Sequence, residues 1–74
     1  MKNLIYIVYD EKDEGDFYIE QCFLNKEEAI DYCRHGFNRL TDHDKKIIHW
    51  YVLETTDDES LDVNIVFSMK EGDA

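Results

Sequence analysis

The chain has 74 residues, of which 18 are Asp or Glu and eight are Lys or Arg, so its formal net charge is −10 at pH 7. A charge of this sign opposes binding to nucleic acid phosphates and to anionic membranes, because both interactions need Lys and Arg. A hydrophobic fraction of 43% is too high for a disordered chain. We expect a single domain over residues 1–74, with a flexible tail at about 70–74. Because so small a core is weakly stable, a homodimer is also expected.

The longest apolar run, LIYIVY at residues 4–9, is far shorter than the roughly 20 residues that a membrane-spanning helix needs. It also lacks the pattern of a signal peptide. The sequence therefore predicts a cytoplasmic protein of the host cell. In that compartment Cys22 and Cys33 are expected to be reduced thiols.

The first two predicted elements are strands that form a hairpin. NLIYIVY at residues 3–9 is apolar on both of its alternating faces, which is typical of a strand covered on both sides or of one whose second face meets a partner. FYIEQCFL at residues 17–24 is also strand-like. DEKDEGD at residues 10–16 connects the two strands, and Gly15 is expected to supply a positive φ there.

A helix is predicted at about residues 26–38. Asn25 is a favourable N-cap, and Glu28 stands three residues later, as in a capping box. Arg34 and His35 would lie in the last turn with Gly36 just beyond it, which suits a helix end, although the pattern could run on to Leu40. Apolar residues recur at helical spacing and would face the core: Ala29, Ile30, Cys33 and Phe37.

The rest of the chain predicts one connection and two strands. TDHDKK at residues 41–46 is either one short turn capped by Thr41 with Asp44 or a plain connection. IIHWYVLE at residues 47–54 is a strand, and residues 61–69 alternate between a buried and a wet face. The predicted buried residues of this last strand are Leu61, Val63, Ile65, Phe67 and Met69.

These elements predict an α+β fold in the order ββαββ. The four strands would form one mainly antiparallel sheet, with the helix packed on one face. The other face would be solvated by polar residues or buried against a second copy of the chain.

The candidate metal sites are weak. If DEKDEGD were an EF-hand loop starting at Asp10, Lys12 and Gln21 would stand where carboxylate ligands belong. The spacing of the histidines matches no usual zinc motif. They are His35, His43 and His49.

The candidate nucleophiles are weak as well. A catalytic cysteine needs a base, an oxyanion donor and a concave pocket. We interpret Cys22 and Cys33 instead as small buried hydrophobic residues. The sequence therefore predicts a protein without catalytic activity, metal or cofactor.

The acidic residues form two clusters. Residues 10–20 and residues 54–62 each carry a net charge of −5, whereas residues 34–49 have four basic and two acidic side chains. Each cluster falls at a hairpin connection, so the clusters should lie at opposite ends of the strands, roughly 25 Å apart. They could form a stripe that occupies a basic groove, or they could simply be charges that collect in loops. The acids are Asp10, Glu11, Asp13, Glu14, Asp16 and Glu20, then Glu54, Asp57, Asp58, Glu59 and Asp62.

Three aromatic residues near these clusters could anchor a partner. Tyr and Trp are enriched at protein interfaces. The base-stacking alternative is disfavoured because the platforms that stack nucleobases are accompanied by basic residues. The candidate anchors are Tyr9, Tyr18 and Trp50.

FLNKEEAIDYC at residues 23–33, followed by WYVLETT at residues 50–56, resembles short proteins of phages and mobile elements. Among such proteins, anti-defence inhibitors, including anti-CRISPR proteins and DNA mimics, are similar in size and charge. The resemblance implies a non-catalytic inhibitor that binds a basic, nucleic-acid-binding surface of a host defence protein, such as a CRISPR-Cas or restriction nuclease. The alternative is a small homodimeric module that binds a small ligand or a protein partner at its dimer seam.

Overall fold

The structure is a computed structural model that describes residues 3–12, 15–56 and 63–70. The predicted α+β class is confirmed, since four antiparallel strands form one open sheet and a helix packs on it. The ββαββ order is incomplete, because a short second helix precedes the third strand. The elements are β1 (Leu4–Lys12), β2 (Phe17–Phe23), α1 (Lys26–Asn38), α2 (Asp42–Ile47), β3 (Ile48–Thr56) and β4 (Asn64–Met69).

The strands are arranged in the order β2-β1-β3-β4, and each neighbouring pair is antiparallel. The pairing of β1 with β3 runs from Leu4 opposite Thr56 to Lys12 opposite Ile48. The connection from β1 to β2 therefore leaves one end of the sheet, and the connection from β3 to β4 leaves the other. Lys12 and Thr56, the last residues of β1 and β3, therefore lie at opposite ends of the sheet, as the placement of the acidic segments at two hairpins predicts.

The helix α1 begins and ends where the sequence predicts. The Asn25 side chain accepts a hydrogen bond of 3.0 Å from the backbone N–H of Glu28, which satisfies one of the free amides of the first turn. Gly36, however, lies inside the helix rather than beyond its end. A Cβ at this position would overlap the six-membered ring of Trp50, so glycine allows α1 to approach β3 closely.

The segment after α1 adopts the first of its two predicted alternatives. The Thr41 side chain accepts a hydrogen bond of 3.1 Å from the backbone N–H of Asp44 and caps the single turn of α2. In the β1–β2 connection, Gly15 has a φ of 85°, the left-handed value expected from the sequence.

The predicted alternation of β4 is wrong at Ile65. The β3–β4 pairing shifts between Val52 and Leu53 and leaves Val66 as an additional residue in β4. Because a bulge of this kind reverses the faces of the residues beyond it, Ile65 points to the side opposite the helix and is 57% exposed. Val63, just before the strand, is also exposed. Leu61 lies outside the described residues.

The core lies between α1 and the facing side of the sheet. Tyr6, Val8, Trp50 and Val52 contribute from the two central strands, and Cys33 is among the helix residues that cover them. None of the helices in the described residues is long and apolar enough to cross a membrane. The buried hydrophobic residues are Tyr6, Val8, Ala29, Cys33, Phe37, Ile48, Trp50, Val52 and Met69.

Candidate interaction surface

The two faces of the sheet differ in what covers them. Both helices pack on the face that carries Val8 and Val52, and no element of the described residues packs on the other face, which we call the open face. The open face is defined by the strand residues on the side opposite α1: Ile5, Ile7, Tyr9, Glu11, Phe17, Ile19, Cys22, His49, Tyr51, Leu53, Thr55, Ile65 and Ser68.

The open face is mainly apolar and slightly concave. Phe17 is 63% exposed and Ile19 is 66% exposed, although both are large hydrophobic residues. Single exposed apolar side chains are normal, but a contiguous group of them marks a site of interaction. A depression of about 280 Å³ lies at its centre. It is lined by Ile7, Tyr9, Glu11, Phe17, Ile19 and Leu53.

Aromatic contacts hold the side chains of the open face in place. The rings of Tyr9 and Tyr51 stack with their centroids 4.9 Å apart, and Phe17 meets Tyr9 edge-on at 6.2 Å. Partial burial raises the pKa of both tyrosine hydroxyls, and the Glu11 carboxylate acts in the same direction. Both phenols are therefore neutral near pH 7 and add no charge to this surface.

The predicted acidic residues divide between the two faces. Glu11 lies on the open face, and Asp16 is exposed in the β1–β2 connection. Asp10 is opposite Trp50 on the helix side, and a bulge in β2 leaves Glu20 unpaired beside it. Desolvation raises the pKa of both of these carboxyl groups, and for Glu20 the charge of Asp10 adds to the effect.

Glu54 has a contact inside the protein. It accepts a hydrogen bond of 3.0 Å from the hydroxyl of Tyr6, which is in the core. Desolvation and then this hydrogen bond raise the pKa of the Tyr6 hydroxyl. A partner that binds Glu54 would therefore compete with an internal contact.

Six of the predicted partner-binding acids lie outside the described residues, and their predicted role stays a prediction. Two of them belong to the β1–β2 connection and four to the β3–β4 connection. They are Asp13, Glu14, Asp57, Asp58, Glu59 and Asp62.

The three predicted aromatic anchors are in different places. Tyr9 lies on the open face. Tyr18 is 57% exposed and is opposite Asp10, so it is on the helix side of β2. Trp50 is buried under α1 against Gly36. We therefore include only Tyr9 in the candidate surface, and a partner contact by the other two stays a prediction.

The helix side has a second depression, of about 270 Å³, between α1 and β2. Within the described residues no group of three or more His, Cys, Asp or Glu side chains could hold a metal ion. The residues that line this depression are Glu20, Tyr32, His35, Gly36, Arg39 and Trp50.

The two cysteines have opposite environments. Cys33 is buried as predicted, and desolvation raises the pKa of its thiol to about 12. The prediction that Cys22 is buried is wrong, because β2 is an edge strand and Cys22 points to the open face.

The net charge of the protein resides outside its helical segment. Residues 26–47, which contain α1 and α2, have five acidic and five basic side chains and are neutral. All of the net charge of −10 therefore belongs to the strands, the hairpin connections and the chain ends. The sequence pattern of two acidic clusters points to this separation but does not show that the neutral segment forms one layer.

The sequence predicted that the second apolar face of the first strand could meet a partner, but it did not extend that surface to β2. Both alternating faces of β1 are apolar in the sequence, but the sequence around Phe17 and Ile19 in β2 does not indicate that these side chains are exposed.

Comparison of the chain with protein-family models, curated proteins and solved structures finds no match.

Proposed function

We propose that this protein is a non-catalytic interaction protein that binds a basic surface of a partner protein. The observation that carries the proposal is the distribution of charge along the chain: the helical residues 26–47 are neutral, and the net charge of −10 belongs to the segments on either side of them. A net charge of this size attracts a basic surface and accelerates association with it.

The proposal extends to the class of partner that the sequence resemblance implies. A basic surface that normally holds nucleic acid is the complement of a small acidic protein, because its Lys and Arg residues are spaced to contact phosphates. The partner would then be a host defence protein such as a CRISPR-Cas or restriction nuclease. The protein would act by occupancy and would come from a phage or a mobile element.

The test is a binding titration against purified nucleases of these classes, with double-stranded DNA as competitor. The substitutions Asp13→Asn and Asp16→Asn together remove two charges from the β1–β2 connection. The matched control, Glu27→Gln with Asp31→Asn, removes two charges from α1. We expect the first pair to weaken binding severalfold at low salt and to reduce its salt dependence, while the control pair changes little.

Two results would contradict the proposal. Equal effects of the two pairs would mean that the position of the charge is unimportant. Binding that persists in the presence of saturating DNA would mean that the nucleic-acid-binding surface is not the target.

A further inference from the structure

We propose that the open face is the surface through which this protein contacts its partner, and that the partner presents an apolar patch bordered by Lys or Arg. The inference rests on the proposed function for the sign of the partner's charge. It adds a contact surface and an apolar requirement that acidity alone does not supply.

The first step is the apolar character of the face. Ile7, Leu53 and Ile19 surround the central depression, and Ile65 joins them because of the bulge in β4. The longest strands, β1 and β3, have nine residues each and extend about 30 Å, and four strands about 4.8 Å apart form the width of the face. The apolar side chains therefore form one contiguous surface that spans several strands, and such a surface marks a site of interaction.

The central side chains of the open face are held in fixed positions. Tyr9 is fixed between Tyr51 and Phe17 by ring contacts before any partner binds. Aromatic residues that are already ordered lose little conformational entropy on binding and are frequent among the residues that dominate interface energies. Tyr9 and Phe17 are therefore the expected anchors.

The third step is the charge around the face. Glu11 lines the depression itself, and Asp16 is exposed next to Phe17. The two strongly acidic connections of the chain leave opposite ends of the sheet. A complementary surface must therefore combine apolar side chains with a Lys or Arg that meets Glu11 and with further basic residues that meet Asp16.

The same charges disfavour a second copy of the chain as the occupant. Face-to-face pairing would bring two chains of net charge −10 together and would place Glu11 of each copy in the interface. Like charges on opposing surfaces repel, and the repulsion is strongest at low salt. A partner of opposite charge meets no such barrier.

The experiment uses two synthetic peptides of equal length and equal positive charge, one alternating Leu with Lys and the other alternating Ser with Lys. Three neighbouring residues of β2 supply matched variants, since Phe17 and Ile19 lie on the open face and Tyr18 lies on the helix side with similar exposure. The variants are Phe17→Ser, Ile19→Ser and Tyr18→Ser. Affinity is measured by titration at low and high salt.

We expect the Leu-Lys peptide to bind the unsubstituted protein more tightly than the Ser-Lys peptide. Phe17→Ser and Ile19→Ser should each reduce that affinity about tenfold, the loss typical of an interface anchor, and Tyr18→Ser should leave it unchanged. Ser-Lys binding should depend on salt and be equal for all variants.

The other outcomes separate the two proposals. If both peptides bind equally and Ile19→Ser has no effect, the inference about the open face is wrong and the proposed function stands. If neither peptide binds at low salt, the proposed function fails as well. Sedimentation at low salt tests whether a second copy of the chain occupies the open face. If the unsubstituted protein is a dimer and Ile19→Ser converts it to a monomer, the occupant is a second copy and the inference is wrong.

Discussion

The helix-covered face and the open face are made from the same strands and from similar residues, yet only one of them is closed. In β1, Val8 is fully buried while its neighbours Ile7 and Tyr9 are only partly covered. Hydrophobic character alone therefore does not decide which side becomes the core. The core forms on the face that α1 covers, because the single apolar stripe of this helix can pack on one face of the sheet and leaves the other face exposed.

The largest expected effect compares one phenylalanine from each environment. Phe37→Ala removes a buried ring and should lower the free energy of unfolding by about 3–5 kcal/mol. Phe17→Ala removes a ring that is mostly exposed and should change it by less than about 1 kcal/mol. Urea denaturation followed by tryptophan fluorescence measures both, and the milder Phe37→Leu serves if the alanine variant does not fold. Similar losses for the two would mean that the open face is covered in solution.

An intermediate effect is expected where α1 approaches β3. Gly36→Ala would improve helix propensity by up to about 1 kcal/mol, but its Cβ would overlap the ring of Trp50. Because that ring is enclosed, overpacking should dominate and lower stability by about 1–3 kcal/mol. Adding Trp50→Leu should make Gly36→Ala less harmful or favourable. If the single variant is stabilised, the contact between helix and ring is looser than the structure shows.

The smallest expected effect concerns Asp10, whose Oδ1 is buried without a hydrogen-bond partner. Desolvation raises the pKa of Asp10 and of Glu20 in the folded protein, so folding favours their protonated forms. Their contribution to stability is present below the unfolded values of 3.8 and 4.5 and is lost as pH rises through the folded ones. Asp10→Asn should therefore stabilise the protein at pH 7, by up to about 1 kcal/mol.

The control for Asp10→Asn is Asp16→Asn, which removes the same charge from an exposed position. Thermal melts at pH 7 and at pH 4 compare the two variants with the unsubstituted protein. The Asp10 variant should gain less stability on acidification than the unsubstituted protein does. Equal behaviour of the two variants would show that net charge, and not burial, governs the effect.

The helical part of the fold could be predicted because its signals are local. The side chains of Asn25 and Thr41 each bind an amide three residues ahead, so the starts of α1 and α2 follow from a few neighbouring residues. The strands depend on partners that are distant in sequence. The sequence ends the first strand at Tyr9, whereas β1 continues to Lys12 because β3 pairs with it that far.

The candidate surface was less predictable for the same reason. The bulges at Glu20 and Val66 arise from the register between paired strands. The residues near them contain no sequence pattern that predicts a shift of this register. The bulges determine which side of the sheet Ile65 and Glu20 occupy. The charge distribution was visible, because the two acidic clusters and the neutrality of residues 26–47 can be counted in the sequence. The topology was needed to show that the helices of this neutral segment cover one face of the sheet.

The central position of β1 also has a consequence for how the chain reaches its native state. β1 precedes the other strands of this sheet in the chain, and it pairs with β2 across a short connection but with β3 only after α1 and α2 have been made. The residues that pair in this ladder are separated by 36 positions at Lys12 and Ile48 (48 − 12) and by 52 at Leu4 and Thr56 (56 − 4), and contacts of such long separation slow folding. Until that pairing forms, the apolar strand β1 has one unpaired edge, and the like charge of acidic chains opposes its pairing with another molecule.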